Sequence, residues 1–178
     1  SLKAQGFADE YIVKAGVSKR KENGYLSDKF FDRIMFPFYN RKGEIVGFTG
    51  RMLNYQGEGA KYSNTEETCL FRKGREIFGF FQAKRTIAKE GFVYVCEGQF
   101  DVISMAQRGV QNIIAGSGTA FTADQLKMIH SVTSSVVFIY DDDAAGHKAA
   151  IKQIESAVKA AMTVRCVMLT GGMDPDDL

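Results

Sequence analysis

An α/β fold, a parallel sheet with flanking helices preceded by a smaller α+β basic part, is predicted by three features of the sequence. In the second half, short apolar runs alternate with amphipathic ones, which places strands in parallel with helices on both faces. In the first half, two extended runs flank a turn signal, as in an antiparallel hairpin. Charge divides between the same halves: residues 1–90 hold 17 Lys and Arg against 11 Asp and Glu, and residues 91–178 hold 6 against 10. Two parts are therefore expected, 1–90 and 91–178, the second cut short at its C-terminus.

The elements follow in order. Phe7 to Ala15 has helical spacing, and the polar stretch Ser18 to Asp28 reads as a connection. The extended runs are Ile34 to Tyr39 and Glu44 to Phe48, joined by Asn40-Arg41-Lys42-Gly43, a hairpin turn signal. Lys61 to Phe78 reads as irregular, and a helix over Phe81 to Lys89 closes the first part. Beyond it, strands are predicted at Phe92–Cys96, Asn112–Ala115, Val136–Tyr140 and Val164–Leu169. Helices are predicted over Asp101–Arg108, Thr122–Ile129 with Thr122 as N-cap, and Ala144–Met162. The pattern does not dictate the order of the strands.

Composition excludes several classes. The chain has 178 residues with 45% hydrophobic and 25% charged residues, ordinary for a globular protein. No apolar run approaches the ~20 residues of a membrane helix, and no signal peptide is visible, so a cytoplasmic protein without a membrane partner is expected. Cys69, Cys96 and Cys166 are scattered and lack zinc spacing relative to each other or to His130 and His147, so no zinc is expected here. Cys96 and Cys166 fall in apolar strand runs and read as small buried hydrophobes. The chain begins at Ser1 and stops just after a motif, as a piece of a longer protein would.

Acidic residues gather at the predicted strand ends. Glu97 follows the first strand of the second half, with Gly98 next. Asp141, Asp142 and Asp143 follow the third strand. Asp174, Asp176 and Asp177 follow the fourth. In a parallel sheet those ends share one edge, where open α/β sheets bind ligands. Carboxylates brought together there need cations, and Mg²⁺ prefers hard oxygen ligands. An isolated Asp is equally suited to a helix cap or a turn, which remains open for Asp142 and Asp177. Gly116-Ser117-Gly118-Thr119 follows the second strand and reads as a phosphate-binding loop or as a tight turn.

Glu97-Gly98 with Asp141-x-Asp143 resembles the signature of the TOPRIM fold, shared by bacterial primases, topoisomerases and some nucleases. The first half narrows the resemblance to the bacterial DnaG-type replicative primases. The segments similar to that family are Arg33-Ile34-Met35-Phe36-Pro37-Phe38, Gly43 through Arg51, Lys61-Tyr62-Ser63-Asn64-Thr65 and Leu70-Phe71-Arg72-Lys73-Gly74. Later ones are Glu97 through Val102, Gly118-Thr119-Ala120 and Gly172-Met173-Asp174-Pro175-Asp176. They run in order across nearly the whole chain. Departures are Gln99, where the family carries an aromatic residue, Gly116-Ser117 for a serine-leucine pair, and Asp142, where glycine is common.

The resemblance implies a DNA-directed RNA primase core that makes short RNA primers on single-stranded DNA by Mg²⁺-dependent nucleotidyl transfer, with Mn²⁺ as a substitute. It implies Glu97, Asp141 and Asp143 as the principal metal-binding, catalytic acids, with Asp101, Asp174 and Asp176 in support. Arg33, Arg51, Lys61, Asn64 and Lys73 would contact nucleotide phosphates or template. Nucleoside triphosphates are the implied substrates, a replicative helicase would be met through a domain absent here, and a monomer is expected. Of the aromatic residues, Phe36, Phe38, Tyr39 and Tyr62 are placed to stack on bases, although Phe in this chain reads mainly as core. Two other functions remain open, phosphodiester cleavage by a TOPRIM nuclease or topoisomerase and a non-catalytic nucleic-acid-binding module.

Overall fold

The computed structural model describes residues 2–57, 59–116, 120–140 and 144–169. Contacts divide the chain into two compact units, residues 1–40 with 44–73, and residues 41–43 with 74–178. No helix among the described residues is long and apolar enough to cross a membrane.

The first unit opens with a 3₁₀ turn, Lys3–Gln5, and helix α1, Asp9–Lys14. The stretch expected to be a plain connection is a small antiparallel hairpin of β1, Ser18–Arg20, and β2, Leu26–Asp28. Its turn is held by the Lys21 amide on the Tyr25 carbonyl at 2.8 Å, with Gly24 in the left-handed region at φ 82°. Next come β3, Arg33–Tyr39, and β4, Ile45–Met52, paired antiparallel across the predicted turn. There the Glu44 amide donates to Asn40 Oδ1 at 3.0 Å.

A third strand, β5, Tyr62–Asn64, pairs with the far end of β4 inside the segment that reads as irregular. The sheet order is β3-β4-β5. Phe36 and Phe38 alternate into the core of this unit, and the Phe38 ring meets Phe71 at 5.3 Å between centroids. Gly47 is glycine because Phe71 lies over it: a Cβ there would stand 2.6 Å from the ring.

The second unit is the expected parallel α/β layer. Its elements are α2, Phe80–Glu90; β6, Val93–Cys96; α3, Gln99–Gln107; β7, Ile113–Ala115; α4, Ala123–His130; β8, Ser135–Tyr140; α5, Ala144–Lys159; and β9, Thr163–Met168. The four strands are all parallel, in the order β7-β6-β8-β9. Helix α2 packs in this unit with the sheet, its Phe80, Ala83 and Ile87 joining the buried cluster of Val93, Val95, Val136 and Phe138. It ends at Gly91, φ 76°, whose amide closes on the Ile87 carbonyl at 2.9 Å.

Thr122 caps α4 as its sequence predicts. Its Oγ1 accepts from the Gln125 amide at 3.2 Å, and Gln125 Oε1 accepts from the Thr122 amide at 3.0 Å. One burial expectation is corrected. Cys96 is buried on the central strand β6, but Cys166 is exposed. It lies on β9, which pairs only with β8 among the described residues and shows solvent along most of its length.

Candidate metal and nucleotide site

The order β7-β6-β8-β9 fixes where a ligand would bind. From β6 the chain crosses through α3 to β7 on one side, then returns past β6 to β8 on the other. The carboxyl ends of β6 and β8 therefore flank the point where the winding reverses, where sheets of this kind open a crevice. Register makes them immediate neighbours, with Val95 opposite Phe138. Glu97 is the first residue after β6 and is exposed, whereas Val93, Val95 and Cys96 before it are buried. Three apolar residues anchor the strand, and the chain delivers its first carboxylate at the crevice.

Gly98 then serves as N-cap of α3. Glycine offers no capping side chain, so only the return half of a capping box exists: Asp101 Oδ2 accepts from the Gly98 amide at 2.8 Å. Glu97 and Asp101 are thus held around one helix start, where the dipole favours negative charge. Gln99, the first residue of α3, is buried. Neighbouring groups are inert. Burial, reinforced by the Asp101 charge, pushes the Cys96 thiol well above its usual range, so it is no thiolate ligand. Burial likewise raises the Tyr140 phenol, which ends β8.

Of the other expected acids, Asp141, Asp143, Asp174 and Asp176 lie outside the described residues, as do Asp142 and the 117–119 part of the glycine loop. Among the described residues no group of three or more His, Cys, Asp or Glu is arranged to hold a metal ion. Glu97 and Asp101 offer hard carboxylate oxygens at the crevice, and residues 141–143 follow the adjacent strand end in sequence. That donor chemistry fits Mg²⁺ or Mn²⁺ and not a soft metal.

The basic candidates belong to the first unit. Arg51 stands on β4 opposite Ile34 on one side and Tyr62 on the other. Asn64 stands opposite Thr49, whose hydroxyl donates to Asn64 Oδ1 at 2.6 Å. Alternation puts Arg51, Thr49, Tyr62 and Asn64 on one sheet face. Lys61 immediately precedes β5, its carbonyl accepting from the Met52 amide at 2.9 Å.

Arg33 has a structural task that sequence reasoning missed. Its guanidinium donates to the carbonyls of Gly50 at 3.0 Å, Lys61 at 3.1 Å and Ala60 at 2.8 Å, clamping the approach to β5 onto the sheet. Lys73 lies beyond this sheet, its amide donating to Glu67 Oε1 at 2.8 Å. Phe36 and Phe38 are buried and so no base platforms, while Tyr62 is exposed. Thr49 was not singled out, although it lies within the family-like segment Gly43 through Arg51.

Two family models between them match most of the chain. Residues 1–84 match the family described as DNA primase catalytic core, N-terminal domain, and residues 94–178 match the Toprim-like family. DNA primase of Escherichia coli K12 is 35% identical over 170 residues, covering 94% of this chain and 29% of the relative. The Aquifex aeolicus primase structure, comprising zinc-binding and RNA polymerase domains, aligns with a TM-score of 0.91 at 32% identity, covering 99% of this chain and 44% of that one. A DnaG primase catalytic domain bound to ssDNA aligns with a TM-score of 0.87 at 34% identity, covering 99% and 56%. The chain thus spans less than a third of the length of the curated relatives it matches.

Proposed function

We propose, from the premise that this chain belongs to the bacterial DnaG-type primase family, that it is the catalytic part of an enzyme that makes RNA primers on single-stranded DNA. The observation that carries the reading is the placement of Glu97 at the switch point of a parallel sheet, directly beside the strand that leads into Asp141 and Asp143. The match of residues 1–84 to a primase-specific family favours this reading over a TOPRIM nuclease or topoisomerase. A DnaG catalytic domain bound to ssDNA supports a single-stranded template.

The chemistry is attack of a nucleotide 3′-hydroxyl on the α-phosphate of the next nucleoside triphosphate, with pyrophosphate leaving. Glu97, Asp141 and Asp143 would hold the divalent cations, with Asp101, Asp174 and Asp176 in support. Bound Mg²⁺ would lower the pKa of the attacking hydroxyl and neutralise charge on the leaving phosphates. The protein's own share is placement and charge. Asp101 fixes the start of α3, and with it the approach of Glu97. Arg51, Lys61 and Lys73 would draw in phosphates that the acidic edge repels, with Asn64 beside them. The Thr49 hydroxyl donates to the Asn64 carbonyl oxygen, so the amide NH₂ of Asn64 would be the group that serves as donor to a phosphate. Arg33 serves by holding the segment that carries Lys61. A helicase partner would be engaged by regions that longer relatives possess.

Primer synthesis by the full-length protein tests the reading. Glu97→Gln and the Asp141→Asn, Asp143→Asn pair are each expected to lower the rate by at least about a hundredfold while the fold persists. Metal-dependent nucleotide binding by this chain should disappear in the same variants. Primer synthesis that survives the double substitution would sink the mechanism.

A further inference from the structure

We propose that the groove between α4 and the C-terminal end of α5 is a docking site for an acidic peptide segment with an apolar anchor, a partner that primer synthesis itself does not require. The groove has a volume of about 520 Å³ and is lined by Phe121, Ala123, Leu126 and Ala160 with Lys127, His130, Lys159 and Ser156. Its wall is thus aliphatic and its rim cationic. That size and mixture suit one apolar side chain held by a few polar contacts.

The plainer account of the rim is helix capping, since Lys127 and His130 lie in the last turn of α4 and Lys159 in the last turn of α5. Each helix end carries only about half a negative charge. The two ammonium groups of Lys127 and Lys159 exceed that requirement. Neither they nor His130 form an ion pair among the described residues. The nearby acid on α4, Asp124, is already held by Arg75 at 3.1 Å. Arg41 adds charge at the α4 end, its guanidinium donating to Ser131 Oγ at 3.2 Å. Glu155 lies one turn before Lys159 on α5 but forms no ion pair with it, so among the described residues the rim keeps the ammonium groups of Lys127 and Lys159 unpaired around an apolar slot.

The lining also selects between polyanions. Single-stranded nucleic acid gains its affinity by stacking bases on aromatic faces. The groove's one aromatic residue, Phe121, is as buried as Leu126 at 5% exposure, so each lends the slot an apolar edge and neither offers an open ring face for successive bases. An aliphatic slot flanked by lysines fits a leucine or phenylalanine side chain between carboxylates.

The test uses the whole 178-residue chain and a short fluorescein-labelled peptide bearing a leucine–phenylalanine pair flanked by aspartates, read by anisotropy. Lys127→Glu with Lys159→Glu should weaken binding about tenfold, and replacing the peptide's aspartates with asparagine should do the same. Both lysines are exposed, and matching circular dichroism checks that the variant folds. In the wild type, peptide-induced amide shifts should centre on the last turns of α4 and α5. No binding, equal binding by the variant, or shifts elsewhere would overturn the proposal. So would a thymidine oligonucleotide whose affinity falls with the two substitutions while the peptide's does not.

Discussion

Tyr140 ends the strand that leads into the acidic triplet, with its ring 2% exposed and stacked on Phe138. Its hydroxyl is buried without a hydrogen-bond partner among the described residues. A donor that is hydrated in the unfolded chain and unpaired in the fold opposes folding. Tyr140→Phe is therefore expected to leave stability unchanged or raise it by up to about 1 kcal/mol, read by chemical denaturation. A clear loss would mean that the hydroxyl is hydrogen-bonded in the folded chain. Gly47 is constrained in the opposite sense. A methyl group there would stand 2.6 and 2.8 Å from Phe71 Cδ2 and Cγ, inside the core of the first unit. Gly47→Ala should cost roughly 1–3 kcal/mol through overpacking. Pairing it with Phe71→Leu should give a double substitution less harmful than the sum, because the smaller side chain vacates the clash.

Helix α4 shows what an element owes to local sequence and what it owes to tertiary context. Thr122 supplies the cap that Thr-x-x-Gln announces, and its hydroxyl also donates to the Gly74 carbonyl at 2.5 Å. Thr122→Ala should cost about 1–2 kcal/mol in a denaturant titration, the upper range for a cap, because the Gly74 bond is lost as well. Thr122→Ser should recover most of it. The cap and the four parallel strands were legible because each rests on neighbouring residues or on a run long enough to show its period. The strands β1, β2 and β5 were not. Each is three residues long and mostly polar, too short to show a period, and its pairing with a neighbouring strand is what marks it as extended. Cys166 misled for a similar reason: an apolar run marks a strand, but its burial depends on whether another element covers it. The place of Glu97 at the carboxyl edge of the sheet was readable from the apolar run before it, while the acids after β8 and β9 lie outside the described residues. The adjacency of β6 and β8, which turns that edge into a crevice between Glu97 and the end of β8, needed the strand order.

Across the whole molecule the charges are sorted, with a balance of +6 over residues 1–90 and −4 over residues 91–178. A near-neutral total therefore hides a half suited to phosphates and a half suited to cations. If the basic half grips the template through its backbone, binding should depend steeply on salt and little on sequence. Each neutralised phosphate of a single strand contributes about −0.7 to the slope of log affinity against log salt concentration. Arg51 and Lys61 come from one small sheet, whose geometry Arg33 maintains through carbonyl bonds rather than through its charge. Arg51→Ala with Lys61→Ala should therefore weaken oligonucleotide binding equally for thymidine and mixed sequences and flatten the slope by roughly 1.4. Arg33→Lys would act differently. Its ammonium keeps the charge but lacks the planar fork that reaches three carbonyls, so the fold of the 60–64 segment would loosen. Its signature would be lost protection of the Met52 amide in hydrogen exchange, because that amide bonds the Lys61 carbonyl, which Arg33 also holds. An unchanged salt slope in the Arg51, Lys61 pair would remove both residues from the phosphate path and leave Lys73 and Asn64, with the acidic edge, as the parts of the site in play.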